Sequence, residues 1–183
     1  MIITITGPRS VGKSTVSKIL AKKLKLKYTS SDEIGEKAMK EFGGLDKAIK
    51  SGIINKFIKK DAYSLIKKEY ELDNFVFDLS GGSISSTKFE EVSNQVKKIA
   101  KEKSKFIIGL LPTEDIENSI EFLFERESKR VHFREMDKVE LMKKVDQNYK
   151  KFPGSLKELC DKIIYVKNKT PEEIIEEISE YIN

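Results

Sequence analysis

The chain has 183 residues and a formal net charge of +5, with 38% hydrophobic and 36% charged residues. That length suits one domain with room for a real core. Four prolines, ten glycines and a single cysteine, Cys160, exclude a collagen-like or proline-rich chain and an internal disulfide framework.

Short apolar runs alternate with helical patterns along the whole chain. Residues 1–6 predict a buried strand, and residues 14–24 a helix with Val16, Ile19, Leu20 and Leu24 on one face. Residues 27–30 suit a short second strand. Residues 32–42 and 54–70 are helical in pattern, interrupted by Gly43-Gly44 and Gly52. A third strand over 74–79 stops at Ser80-Gly81-Gly82, and a helix over 89–101 leads to a fourth strand over 105–111, closed by Pro112. Helical patterns follow over 114–128 and 141–151, the second ended by Pro153-Gly154. The last strand is expected over 162–166. Thr170-Pro171-Glu172-Glu173 opens the last helix, with Thr170 as N-cap, Pro171 at the first helical position and Glu173 completing a capping box.

Five strands separated by helices predict an α/β fold in three layers: a five-stranded parallel sheet with helices on both faces. Right-handed crossovers then bring the C-terminal ends of the strands to one edge, where ligands bind. No apolar run approaches the ~20 residues of a membrane helix, and no signal-peptide pattern is present. A cytoplasmic protein, monomeric or weakly dimeric, is expected, with no membrane partner. Basic and acidic residues are interspersed along the helical stretches. Solvated faces look like that, which argues against a dedicated nucleic-acid surface and leaves room for a basic pocket that takes a polyanionic ligand.

Gly7-Pro8-Arg9-Ser10-Val11-Gly12-Lys13-Ser14 satisfies G-x-x-x-x-G-K-[ST]. It lies between an apolar strand and an amphipathic helix, the context that gives this pattern meaning. Gly12 lets the backbone approach a phosphate and turn its N–H groups inward. Lys13 reaches the β and γ phosphates, and the Ser14 hydroxyl can ligate Mg²⁺. The helix that starts here directs its positive end at the same phosphates. Gly7, Arg9, Ser10, Val11, Gly12, Lys13, Ser14 and Thr15 are thus the candidate residues for a nucleoside triphosphate, with Mg²⁺ as its companion.

A GTPase would read guanine with Asn-Lys-x-Asp, but Asn168-Lys169-Thr170-Pro171 lacks the aspartate and reads as a helix cap. Leu79-Ser80-Gly81-Gly82 imitates a transporter-ATPase signature in a chain too short for that domain. A small-molecule kinase remains. The chain resembles the shikimate kinase family, within the nucleoside-monophosphate kinase superfamily, in order and over almost its full length. The loop and its helix match. Tyr28-Thr29-Ser30-Ser31-Asp32-Glu33-Ile34 falls at the family's Asp-x-Asp segment, Gly81-Gly82-Ser83 at its substrate-binding triple glycine, and Arg126 and Arg130 at its lid arginines.

The chain departs from the family pattern at three points. Ungapped, Thr29 and Ser31 stand at the two acids, and a one-residue shift brings in Asp32. The family's substrate-binding arginine falls at Ile58, with Lys59 and Lys60 beside it, and a lysine does not reproduce two-bond carboxylate recognition. The first glycine of the triple is Ser80. Arg130-Val131-His132-Phe133 also resembles the lid of gluconate kinases.

The resemblance implies ATP-dependent phosphorylation of a hydroxyl on a small metabolite, shikimate first. A cytidylate-type or gluconate-type kinase, or a nucleotide-binding regulatory module without turnover, are the alternatives. Asp32 is the candidate to orient or deprotonate the acceptor hydroxyl, with an N-cap role as the structural alternative. Asp78, at the end of an apolar strand, is the rival acid and the candidate to hold magnesium beside Ser14. Gly81 and Gly82 would lay backbone N–H groups against the acceptor. Arg126 and Arg130, four apart on one helical face, would close over the transferring phosphoryl group, unless Glu125 and Glu127 mark that face as solvated. His132 and Arg134 are weaker candidates. A single domain over 1–183 is expected, with an acceptor-binding subdomain over 33–70 and a lid over 126–137. Cys160 reads as core.

Overall fold

Ile2–Gly7 reads Ile-Ile-Thr-Ile-Thr-Gly, and all six residues are buried. A strand buried on both faces needs neighbours on either side and helices above and below. The computed structural model describes residues 1–130, 133 and 136–182 and supplies both. Five parallel strands, β1 (Ile2–Gly7), β2 (Lys27–Ser30), β3 (Phe75–Ser80), β4 (Phe106–Leu111) and β5 (Lys162–Tyr165), pair in the order β2-β3-β1-β4-β5. β1 lies at the centre, with Ile5 opposite Asp78 of β3 and Ile108 of β4.

The helices are α1 (Lys13–Leu24), α2 (Ser31–Ala38), α3 (Leu45–Ser51), α4 (Ile54–Phe57), α5 (Tyr63–Glu69), α6 (Gly82–Ser85), α7 (Glu90–Lys103), α8 (Ile116–Ser128), α9 (Lys138–Tyr149), α10 (Phe152–Leu159) and α11 (Pro171–Ile182). A π turn, Ile58–Ala62, joins α4 to α5, and a 3-10 turn, Lys40–Phe42, follows α2. α1 packs on β3 and on α11, and α7 packs on α5 and α6. The core gathers Ile3, Ile5, Phe77, Leu79, Ile108 and Leu110 of the sheet with Leu20, Val96, Leu123 and Ile178 of the helices. Thr4, fully buried in β1, is bonded to the hydroxyls of Tyr70 at 2.9 Å and Ser104 at 2.7 Å.

All five strands and the α11 capping box stand where the sequence puts them. Thr170 Oγ1 accepts from Glu173 N, and Glu173 Oε2 accepts in turn from Thr170 N. Two segments differ. Pro153-Gly154 lies inside α10 and opens it, because proline suits a first helical turn as well as it ends a preceding helix. α3 forms between the glycine breaks as a helix of its own. Cys160 is half-buried and packs against the core, and burial pushes its thiol up to about 12. No helix among the described residues is long and apolar enough to cross a membrane.

Candidate active site

The turn after β1 is conformationally constrained. Gly7, Ser10 and Gly12 all have positive φ, at 152°, 66° and 110°. At Gly7 a Cβ would collide with the Leu110 carbonyl oxygen, so only glycine fits. Ser10 is a non-glycine residue in the left-handed region, and its hydroxyl is buried without a hydrogen-bond partner among the described residues. Strain of that kind persists where the surrounding structure imposes it, as at ligand-binding loops. Val11 is buried and anchors the loop in the core, Gly12 is the N-cap of α1, and Thr15 lies exposed in its first turn.

Lys13 folds back over the loop and donates to the Pro8 carbonyl at 3.0 Å. Burial holds its ammonium below the usual lysine range, against the attraction of Asp78 and Asp32. Ser14 Oγ donates to Asp78 Oδ2 at 2.5 Å, and Asp78 is almost wholly buried at the end of β3. A hydroxyl and a carboxylate side by side form an all-oxygen donor pair. Mg²⁺ takes that kind of pair, completing its shell with phosphate and water oxygens.

Asp32 lies in the first turn of α2, and its side chain reaches solvent. It is not the N-cap of that helix. Ser30 is, its side chain accepting from Asp32 N at 3.2 Å. The protein around the Asp32 carboxyl raises it above the usual carboxylate range. The neighbouring charges are Lys13 and Arg130, which oppose the rise, and Asp78, which adds to it. Lys13, Asp32, Asp78 and Arg130 therefore form one electrostatic cluster beyond the strand ends.

The two arginines of α8 and its C-terminal extension do different things. Arg130 senses Lys13 and Asp32. Arg126 instead donates from NH1 to the carbonyls of Ser10 and Val11, at 3.2 and 3.3 Å, and stacks on Phe122 at 4.4 Å. Arg9 is turned out of the loop. It forms a two-bond fork with Glu127, Nε to Oε1 at 2.9 Å and NH2 to Oε2 at 2.5 Å, under the ring of Phe133 at 4.6 Å. Glu127, on the face that reads from sequence as solvated, is only 3% exposed.

Gly81 is buried. A Cβ there would collide with the Gly7 carbonyl and the Phe152 ring, so its glycine character is required for packing under the loop. Gly82 is exposed, with Ser80 Oγ 3.7 Å from where its Cβ would stand. Ser31 Oγ accepts from Ser80 N at 2.7 Å and ties α2 to the same strand end. His132 and Arg134 lie outside the described residues.

The sequence pattern does not single out Tyr28. Its hydroxyl reaches Asp78 Oδ2 at 3.4 Å, and burial, reinforced by Asp78, pushes it up to about 12. Nothing in the sequence spacing signals that contact, because it crosses from β2 to β3. A cavity of about 490 Å³ opens elsewhere, within the helices from α2 to α5. Met39, Phe42, Phe57, Lys60 and Asp61 line it, and no residue of the loop does.

A model of the shikimate kinase family matches residues 9–183. The fold is that of solved shikimate kinases. With the enzyme from Bacteroides thetaiotaomicron the TM-score is 0.73 at 17% identity, covering 100% of this chain and 98% of that one. With the enzyme from Aquifex aeolicus it is 0.62 at 21% identity, covering 100% and 96%. With the enzyme from Acinetobacter baumannii, solved in complex with shikimate, it is 0.67 at 15% identity, covering 99% and 92%. No curated protein sequence matches the chain.

Proposed function

We propose that this chain, which belongs to the shikimate kinase family and is an ATP-dependent phosphotransferase acting on a hydroxyl group, takes shikimate as its acceptor. The arrangement that carries the reading is the cluster of Lys13, Asp32, Asp78 and Arg130 around the turn after β1.

Residues 7–14 bind the ATP phosphates through backbone N–H groups and the Lys13 ammonium. Ser14 and Asp78 would hold Mg²⁺, which supplies charge neutralisation on the phosphates when bound. Asp32 orients the acceptor hydroxyl and takes its proton. The acceptor oxygen forms a bond to the γ phosphorus while the bond from that phosphorus to the bridging oxygen breaks, and ADP leaves. Arg130 faces the charge that gathers on the transferred group. Residues 33–70 serve as the acceptor-binding subdomain, with Gly82 presenting backbone to the acceptor. The part of 126–137 that follows α8 serves as a lid that excludes water and suppresses idle hydrolysis, since Arg126 and Glu127 are held in α8 against the loop.

Ile58 favours a second reading. It lies in the π turn where the family has its substrate-binding arginine, so carboxylate recognition falls to lysine, with Lys60 on the cavity wall. A different hydroxy acid or a polyol then competes with shikimate.

The deciding experiment is Mg²⁺-dependent ADP release from ATP with shikimate, gluconate, CMP, dCMP or AMP, against a blank without acceptor. Stimulation by shikimate alone is the expected result. Stimulation by gluconate or a nucleotide alone reassigns the acceptor. Silence across the panel with ATP bound overturns shikimate and favours a nucleotide-binding regulatory module.

A further inference from the structure

The turn that binds phosphate is gripped from outside by two successive residues of α8. Arg126 binds the carbonyls of Ser10 and Val11. A trans peptide is planar, with its C=O and N–H on opposite sides. Fixing those two carbonyls outward therefore fixes the N–H groups of Val11 and Gly12 toward the interior of the loop, where a phosphate is bound. Glu127 completes the grip through the fork to Arg9.

The pair is unevenly exposed: the Arg9 side chain is 45% exposed and that of Glu127 is 4%. Among the described residues, Arg9 is the cation that forms an ion pair with Glu127. Moving Arg9 to a phosphate would strand a nearly buried carboxylate without its partner, which is strongly disfavoured. Phe133 covers the guanidinium on one face and further confines it.

We propose that Glu127 is a positioning residue for the nucleotide. Through Arg9 it seats residues 9–12 against α8 and keeps their N–H groups aimed at the phosphates, without touching the nucleotide itself. Arg9 is then an anchor of the loop and not a phosphate ligand. The proposal rests on the reading of residues 7–14 as the phosphate site.

The test is titration of fluorescent mant-ADP with Mg²⁺ into wild type, Glu127→Gln, Arg9→Ala and the double variant, each checked by thermal denaturation. Glutamine keeps the shape and one acceptor but loses the ionic fork. The expected result is that Glu127→Gln weakens mant-ADP about 5- to 10-fold, Arg9→Ala weakens it by a similar factor, and the double variant is no weaker than either, since the two act as one unit. A sign reversal is the sharpest contrary outcome. If Arg9 serves the phosphate and Glu127 competes for it, Glu127→Gln tightens binding and Arg9→Ala alone weakens it, which overturns the proposal. A lowered melting temperature with unchanged mant-ADP affinity in folded Glu127→Gln also overturns it, by reducing the pair to scaffold. Failure of wild type to bind mant-ADP is a separate result, which removes the phosphate-site reading and this proposal with it.

Discussion

Ser14 and Asp78 are 64 residues apart in sequence, and their side-chain oxygens meet at 2.5 Å where the first helical turn of α1 faces the end of β3. Register places Asp78 directly opposite Ser30 of β2. The family's acids belong to the β2 segment, where this chain carries Thr29 and Ser31, so the carboxylate that meets Ser14 stands one strand over.

Asp78→Asn tests that substitution of place. The amide keeps an acceptor for Ser14 but removes the charge. Activity is expected to fall by about 10²–10³, as when a charge-stabilising group is lost, with a rise in the Mg²⁺ concentration that gives half-maximal rate. A Mg²⁺ titration of kcat measures both. Asp78→Asn with wild-type Mg²⁺ dependence would remove Asp78 from the metal role.

Asp32→Asn is expected to lower kcat by about 10²–10⁴, the usual worth of a general base, while nucleotide affinity stays within about twofold. The pH profile gives an independent check. The carboxyl is raised, mainly by burial, so the acidic limb of the rate lies above the ordinary carboxylate range, and the variant loses that limb. Stability runs the other way. A carboxyl whose folded pKa exceeds its unfolded value favours the fold at low pH, and that contribution is lost as pH rises through the folded pKa. At pH 7 the ionised group is a cost, so Asp32→Asn does not lower the melting temperature and raises it slightly. The gain is small because the side chain reaches solvent.

Lys13→Ala is expected to abolish turnover with the fold retained, measured by ADP release and circular dichroism. Burial lowers this ammonium below the usual lysine range. An alkaline limb that begins below the usual lysine range should therefore belong to Lys13 and vanish from the profile of any residual activity.

Arg126 and Arg130 separate by kinetic signature. Arg130→Ala is expected to lower kcat by about 10³ or more, as for a lost arginine finger, with ADP affinity nearly unchanged. Arg126→Ala frees the Ser10 and Val11 carbonyls and should weaken ADP binding instead. Single-turnover rates and ADP titrations on both variants distinguish the two roles.

Gly81→Ala is expected to cost about 1–3 kcal/mol, because the added methyl meets the Gly7 carbonyl and the Phe152 ring. At this chain length each kcal/mol lowers the melting temperature by ~2–4 °C. Gly82→Ala, with its nearest neighbour at 3.7 Å, should leave the melting temperature unchanged and act on acceptor KM alone. Equal thermal losses in the two would refute the packing role of Gly81.

The strands and the phosphate loop were legible because their signals are local: apolar runs, an eight-residue motif, and a capping box at Thr170. The site's partners were not, because they are set by pairing across the sheet and between distant elements. Glu127 looks like a solvated acid among its helix neighbours, and its partner Arg9 is 118 residues away. The Asp32 cap failed for a local reason. Ser30 stands one position ahead of the helix and takes the capping bond, which frees the acid to face Lys13. Pro153 carried an ambiguous signal, since the same ring that ends one helix starts the next.

The central position of β1 also sets a schedule for biosynthesis. Its six apolar-rich residues pair with β3 and β4, where Ile2 meets Phe75 and Ile3 meets Phe106. At ~5–20 residues per second of translation, β1 waits roughly 4–15 s for its first partner and longer for its second. Throughout that interval a β-prone segment with no charged residue is unpaired on the ribosome. On that schedule, slowing translation between β1 and β3 is expected to increase aggregation of the newly made protein.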